Sequence, residues 1–254
     1  MLRTLDNLLA PAPAPDRTAW LGKCDYAHRG LHGGGVPENS RAAFAAALDA
    51  GMGIECDVQE TRDGRAVVFH DFTAGRLIEG GEAIRDLSIG ELTQRALIGG
   101  NGECVPTLCD LTALVAGRAP LLIEIKTKRE RRVSRLCLAV RRALEGYRGP
   151  VAVMGFDPRV GAWFRRHAPQ IVRGLVVTEE DARSVRGGWA RHGAVWTAKP
   201  DFLAYDVRDL PSTFAAAQRA RGLKVLTWTV KTPALRETAR AHADAAIAEG
   251  AGVE

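Results

Sequence analysis

No apolar run in this 254-residue chain approaches the ~18 residues that a membrane-spanning helix needs. The longest, such as Pro120–Ile125, are strand-sized, so no stable membrane insertion is expected. The N-terminus lacks the charged start and the roughly 7–15-residue apolar stretch of a secretory signal. Leu8-Leu9-Ala10 is too short for one, and a cytoplasmic location is the expectation. The five cysteines (24, 56, 104, 109, 137) form no CxxC pair. An odd count suits a reducing compartment better than a disulfide scaffold. Lysine is scarce: six of the 35 basic residues are lysines and 29 are arginines, against 30 acidic residues and a net charge of +5. The arginines are spread along the chain and not stacked into one block, so no nucleic-acid partner is expected. A dispersed excess suits anionic small molecules, or reflects an Arg- and Ala-rich composition.

What is present is a core and a period. Hydrophobic residues make up 46% of the chain, an ordinary globular share. Short apolar runs read as strands at Asp25–His28, Gly53–Val58, Leu121–Lys126, Val151–Phe156, Val172–Val177, Phe202–Tyr205, Lys224–Val230 and Ala245–Ala248. Between most of them, helical spacing covers Ser40–Ala50, Arg131–Gly146, Pro158–Ala168, Asp181–His192, Pro211–Arg221 and Pro233–Ala243. Ser40 is the expected N-cap of the first helix and Gly51 its stop. Strand and helix in alternation predict a parallel sheet, and eight strands in about 250 residues predict an α/β chain folded as a (β/α)8 TIM barrel. Thr61–Arg65 reads as a hairpin turn, with a return strand through Ala66–Phe69. Residues 71–107 then read as an insertion after strand two, with a short helix near Ser88–Arg95. The expected layout is an N-terminal segment, 1–23, stiffened by Pro11–Pro15, followed by one barrel domain, 24–254.

The charged residues sit at the ends of apolar strands. Side chains alternate across a strand, so Glu55 and Asp57 share one face, and so do Glu124 and Lys126. One such residue is an ordinary solvated strand end; two matched pairs on neighbouring strands mark a catalytic mouth. Three convergent oxygen ligands, Glu55, Asp57 and Glu124, suit a hard divalent cation, Mg2+ or Ca2+. With Arg29 and Lys126 added, such an ion leaves the small positive balance that one phosphodiester neutralises. Zinc is not favoured, because no HxH pair or cysteine ligand spacing appears. His28 and His70 flank the carboxylates and suit a general acid and a general base. Arg29 offers a fork of donors matched to phosphate oxygens. Asn39 either points its amide into the mouth or serves a structural turn.

Seven ordered motifs fall within about a hundred residues. They are His28-Arg29-Gly30, Pro37-Glu38-Asn39-Ser40, Glu55-Cys56-Asp57-Val58, Thr61-Arg62-Asp63-Gly64, Val67-Val68-Phe69-His70-Asp71, Pro106-Thr107-Leu108 and Glu124-Ile125-Lys126. Together they resemble the glycerophosphodiester phosphodiesterase family. A thinner match continues through Phe156-Asp157-Pro158, Phe202–Tyr205 and Thr227–Val230. The resemblance implies a TIM barrel with a small insertion after strand two. It implies His28 and His70 as the acid–base pair and Glu55, Asp57 and Glu124 as ligands of a divalent metal ion. It further implies Arg29 and Lys126 as phosphate contacts and Trp228 as an apolar wall beside the substrate; Trp228 also reads as barrel packing.

The activity so implied is hydrolysis of small-molecule glycerophosphodiesters to sn-glycerol 3-phosphate and an alcohol. Gly155 stands where the family often has serine, and Ala248-Glu249-Gly250 where it commonly shows Thr-Asp. Both departures spare the acid–base and metal set and bear on substrate preference. A lysophospholipase D or phosphoinositide-type phospholipase on the same barrel would need an apolar mouth. The insertion is rich in glycine and charge, which favours deacylated substrates. A barrel used only for binding would have no need of two histidines. The sequence is silent on the oligomeric state.

Overall fold

The computed structural model describes residues 2–128, 130–180 and 183–253. In chain order the elements are α1 (Leu2–Leu9), α2 (Pro15–Thr18), β1 (Tyr26–Ala27), α3 (Arg41–Asp49), β2 (Gly53–Glu60), β3 (Ala66–Val68) and α4 (Ile89–Leu92). Then come α5 (Leu108–Val115), β4 (Leu121–Ile125), α6 (Ser134–Ala143), β5 (Val151–Met154), α7 (Pro158–His167), β6 (Val172–Val177) and α8 (Val185–Ala198). The chain ends through β7 (Phe202–Asp206), α9 (Thr213–Ala220), β8 (Lys224–Val230), α10 (Pro233–His242) and β9 (Ala245–Ala248). Two compact units are distinguishable: Ala27–Val151, and Met1–Tyr26 with Ala152–Glu254.

In the Ala27–Val151 unit, Ser40 caps α3 as the sequence predicts, its Oγ accepting from Ala43 N–H at 3.0 Å. β2 runs parallel to β4 in a register that sets Asp57 beside Glu124 and Val58 beside Ile125. β3 returns antiparallel to β2, pairing Val58 with Val68 across the expected hairpin. The stretch after it is short of regular structure but has its own core, in which Val67, Phe69, Ile78, Ile84, Leu92 and Val105 are buried together. Its short helix α4 starts at a capping box between Ser88 and Glu91. Helix α5 is absent from the sequence reading. It starts at a second capping box, Thr107 with Asp110, a signature the sequence carries in plain view.

In the other unit, β5 to β9 lie side by side in sequential order, each parallel to the next. A helix stands between each consecutive pair, the arrangement that parallel pairing demands. The helix expected over Asp181–His192 is instead Val185–Ala198, and positions 181 and 182 lie outside the described residues. Ser184 sets its start by accepting from Gly187 N–H at 3.2 Å, and Lys199, in the left-handed region, sets its end. Residues 2–9 are a helix, also absent from the sequence reading. It is tied down by Asp6, a fully buried carboxylate held by His192 Nδ1 (2.8 Å), Trp196 Nε1 (2.8 Å) and Gln218 Nε2 (2.7 Å). No helix among the described residues is long and apolar enough to cross a membrane.

Candidate active site

The site begins in the turn after β1. Arg29 (φ +56°) and Gly30 (φ +78°) are successive left-handed residues. They bend the backbone so that Arg29 N–H donates to Glu55 Oε2 at 3.0 Å. Glycine is required at the second position, because a Cβ there would stand 2.8 Å from the carbonyl carbon and the Cβ of Ala43. Asn39 is left-handed too (φ +55°), a conformation that asparagine tolerates better than most residues. Its own N–H donates to the Arg29 carbonyl at 2.8 Å, which ties the two turns together.

Glu55 and Asp57 lie on β2, each 1% exposed, and Glu124 lies on β4 beside Asp57. One carboxylate oxygen from each of the three falls within 4.8 Å of the others. Burial, followed by the charges of Asp57 and Glu124, pushes the Glu55 carboxyl well above the usual carboxylate range. Glu124 is raised by burial and Asp57, with Lys126 pulling against them. Asp57 differs. Burial raises it, but Lys126, Arg29, His70 and His28 together hold it below its ordinary value. It is the anion round which the cations gather: Arg29 Nε at 3.1 Å and Lys126 Nζ at 3.5 Å, with Lys126 Nζ also 3.0 Å from Glu124 Oε1.

Asn39 is 1% exposed, and its amide is committed to Asp57. Nδ2 donates to Asp57 Oδ2 at 3.0 Å, and Oδ1 accepts from Asp57 N–H at 3.2 Å. Of the two expectations for Asn39, the arrangement favours the structural one: one amide N–H and the amide oxygen hold Asp57 in place.

His28 follows β1 directly, and His70 follows the return strand. His70 Nδ1 lies 2.7 Å from Asp71 Oδ1, which orients the ring and leaves Nε2 for a reactant. Burial, opposed by Asp57 and aided by Lys126 and Arg29, draws His70 below its ordinary value. Behind it stands a chain of ion pairs that the sequence reading missed. Arg76 grips Asp71 through Nε (2.7 Å) and Nη2 (2.9 Å), and Glu38 through Nη1 (2.9 Å) and Nη2 (2.7 Å). Glu38 in turn accepts from Arg29 Nη1 at 2.8 Å. Against the effect of burial, Arg76 and His70 hold Asp71 down to about 2. Glu38 was legible only as part of a motif, and Arg76 carried no local signal at all.

Trp228 belongs to the other unit. Its indole N–H donates to the Ala204 carbonyl at 2.9 Å, and its ring meets Phe156 edge to face at 5.5 Å. Half of the Phe156 side of this pair is open: Phe156 is 47% exposed.

The glycerophosphoryl diester phosphodiesterase family model matches residues 28–254. The chain belongs to this family. Over 110 residues it is 40% identical to a glycerophosphodiester phosphodiesterase of Caldanaerobacter subterraneus, covering 40% of this chain and 44% of that one. Over 109 residues it is 36% identical to the enzyme of the same name from Bacillus altitudinis, covering 41% and 44%. The chain thus spans less than half the length of the curated relatives it matches. Among solved structures it resembles an Oleispira antarctica phosphodiesterase in complex with its product sn-glycerol 3-phosphate, with TM-score 0.77 and 23% identity over 89% of this chain and 92% of that one. It also resembles the Thermotoga maritima glycerophosphodiester phosphodiesterase, with TM-score 0.70 and 24% identity over 89% and 93%. These likenesses show the fold, the (β/α)8 barrel that the strand count predicts.

Members of this glycerophosphoryl diester phosphodiesterase family are generally dependent on a divalent metal, and the donor set in this chain fits one. Three hard oxygen donors converge, two of them buried, and burial together with the charges of Asp57 and Glu124 raises the Glu55 carboxyl, a place where a cation is favoured.

Proposed function

We propose that the chain hydrolyses glycerophosphodiesters to sn-glycerol 3-phosphate and an alcohol. One observation carries the reading. Three buried or half-buried carboxylates, Glu55, Asp57 and Glu124, meet two cations and two histidines in one cluster, in a member of this family.

Glu55, Asp57 and Glu124 would hold Mg2+ or Ca2+, which when bound supplies Lewis acidity toward a phosphoryl oxygen. Arg29 and Lys126 bind and orient the phosphate, Arg29 through its planar fork and Lys126 as a point charge. Asn39 and the Arg29 N–H keep Asp57 and Glu55 in place before substrate arrives. One histidine accepts the proton of the nucleophile, either water or the neighbouring glycerol hydroxyl by way of a cyclic phosphate that water then opens, as its oxygen bonds to phosphorus. The other gives a proton to the departing alkoxide as the P–O bond breaks. Asp71 fixes the ring of His70, so that its proton moves at Nε2.

The test is a panel of glycerophosphodiesters coupled to detection of glycerol 3-phosphate, with Mg2+, Ca2+ or neither. Turnover that needs the ion and vanishes in Asp57→Asn is the expected result. No release of glycerol 3-phosphate from any diester, with either ion present, overturns the reading. Glycerophosphocholine against lysophosphatidylcholine, both followed by release of choline because the lipid leaves an acylated glycerol phosphate, separates deacylated from lipid substrates, and the deacylated one is expected to be faster.

A further inference from the structure

Beside the carboxylate cluster lies a groove of about 290 Å3 that the proposed chemistry does not use. It begins where the catalytic row of β2 ends. Glu55, Asp57 and Gln59 follow one another on a single face of that strand. Gln59 is buried and donates its amide to the carbonyls of Asp71 and, at 3.0 Å, His70. Lys126 lines the groove and at the same time reaches Glu124 and Asp57, so the two spaces share a wall. Phe72 gives the groove an apolar side, with Lys128 Nζ 4.8 Å from its ring centroid.

The rest of the lining is strongly basic. The segment between β4 and α6 contributes Lys128, Arg131 and Arg132, while the hairpin and insertion contribute Arg62 and Arg85. Several rim cations are already committed, Arg62 to Glu91 at 2.8 Å and Arg135 to Glu60 at 2.9 Å. Among the described residues, Arg131 and Arg132 make no ion pair with a carboxylate, although Arg131 is half-buried. Glu60 and Asp86 also line the groove but are paired with Arg135 (2.9 Å) and Arg85 (3.4 Å), so half-buried Arg131 and exposed Arg132 are left to meet an anion, best a phosphate or carboxylate that can take a fork of donors. The volume admits one small group and not a duplex or a bilayer.

We propose that this groove receives the alcohol arm of the substrate and selects an arm that carries its own negative charge, such as a phosphorylated alcohol, over a neutral or cationic one. The inference rests on the hydrolase reading, because it places the arm beyond the phosphate held at Lys126. Lys126 meets the phosphodiester, and Arg131 and Arg132 meet the second anion.

The experiment compares glycerophosphoglycerol with the same diester bearing a phosphate on the departing glycerol, with glycerophosphocholine as the cationic case. The KM of the wild-type protein for the phosphorylated diester should lie about tenfold or more below that for glycerophosphoglycerol, with the gap closing as salt rises. In Arg131→Gln/Arg132→Gln the gap should fall below about threefold, because KM for the phosphorylated diester rises by more than KM for glycerophosphoglycerol. Equal KM values in the wild type, or a preference that survives in the double variant, overturn the proposal. A binding arm keeps it separate from the hydrolase reading. Glycerol 1,3-bisphosphate contains no diester to cleave, and its affinity by calorimetry should fall about tenfold or more in the double variant, with glycerol 3-phosphate unaffected. If no diester is hydrolysed but this difference is found, the groove stands and the hydrolase reading falls. If the bisphosphate binds both proteins alike, the groove falls whatever the enzyme cleaves.

Discussion

At the scale of single residues, the site is a set of charges that cannot be removed one at a time without cost. Lys126 Nζ stands between Glu124 and Asp57, 3.0 and 3.5 Å away, and both keep it charged against the effect of burial. If it serves only as their counter-ion, Lys126→Met should weaken metal binding, since one partner of a buried pair is left uncompensated. We expect the other outcome. A divalent ion supplies the positive charge that the carboxylates lack, which releases Lys126 to the phosphate. Lys126→Met should therefore lose about 2–4 kcal/mol in kcat/KM, as for other donors aimed at developing charge. Metal affinity by calorimetry should change less than about tenfold, or 1.4 kcal/mol. A larger loss of affinity with turnover restored at saturating metal would overturn the assignment. His70 gives a second prediction. Burial and two neighbouring cations draw it below its ordinary value, so its limb in the pH profile of kcat/KM should lie on the acid side of about 6.5. A limb that rises with pH makes His70 the base, and one that falls makes it the acid. His70→Ala should remove that limb and lower kcat by about 10²–10⁴. A limb that persists in the variant would show that it belongs to another group.

At the scale of elements, turns and register do the positioning. The register of β2 on β4 brings Asp57 level with Glu124, and a slip of one residue would turn the carboxylate row to the other face. The β1–α3 connection packs against α3 at Gly30, where a methyl group would meet the Ala43 backbone in a left-handed conformation. Gly30→Ala combines both penalties, and each belongs to the mechanisms that give large destabilisations, about 1–3 kcal/mol in total. Denaturant midpoints should fall accordingly, and activity should fall further than stability, because the same turn aims Arg29 N–H at Glu55. Wild-type kcat/KM in a folded Gly30→Ala protein would show that the turn does not set the site.

At the scale of the whole molecule, a metal that binds only the folded chain must stabilise it. At a hundredfold excess over Kd the gain is about 2.7 kcal/mol. For a chain of this size that corresponds to a rise in Tm of roughly 5–10 °C. Mg2+ or Ca2+ should produce it in the wild-type protein and not in Glu124→Gln. The sign of the pH dependence follows from Glu55, whose carboxyl is raised by burial and by its acidic neighbours. The ion binds the deprotonated form, so the rise in Tm should shrink as pH falls and protons compete for that oxygen. An equal rise in wild type and Glu124→Gln would place the ion elsewhere.

Much of this was written along the chain. The alternation of strand and helix, the N-cap at Ser40 and the shared faces of Glu55 with Asp57 and of Glu124 with Lys126 are local matters of period and capping, decided within a few residues. Even α5, absent from the reading, announces itself through Thr107 and Asp110. Other features needed the folded molecule. Asn39 could point to a ligand or close a turn, and only packing against β2 commits its amide to Asp57. The chain of pairs from Asp71 through Arg76 and Glu38 to Arg29 joins four positions with no common period. Arginines that look dispersed in the sequence gather around one groove. Periodicity is a property of neighbours along the chain, and it fixes which residues face inward. Which inward charges then meet depends on side chains brought together across loops, where only distance and the cost of leaving a buried charge unpaired decide the partner.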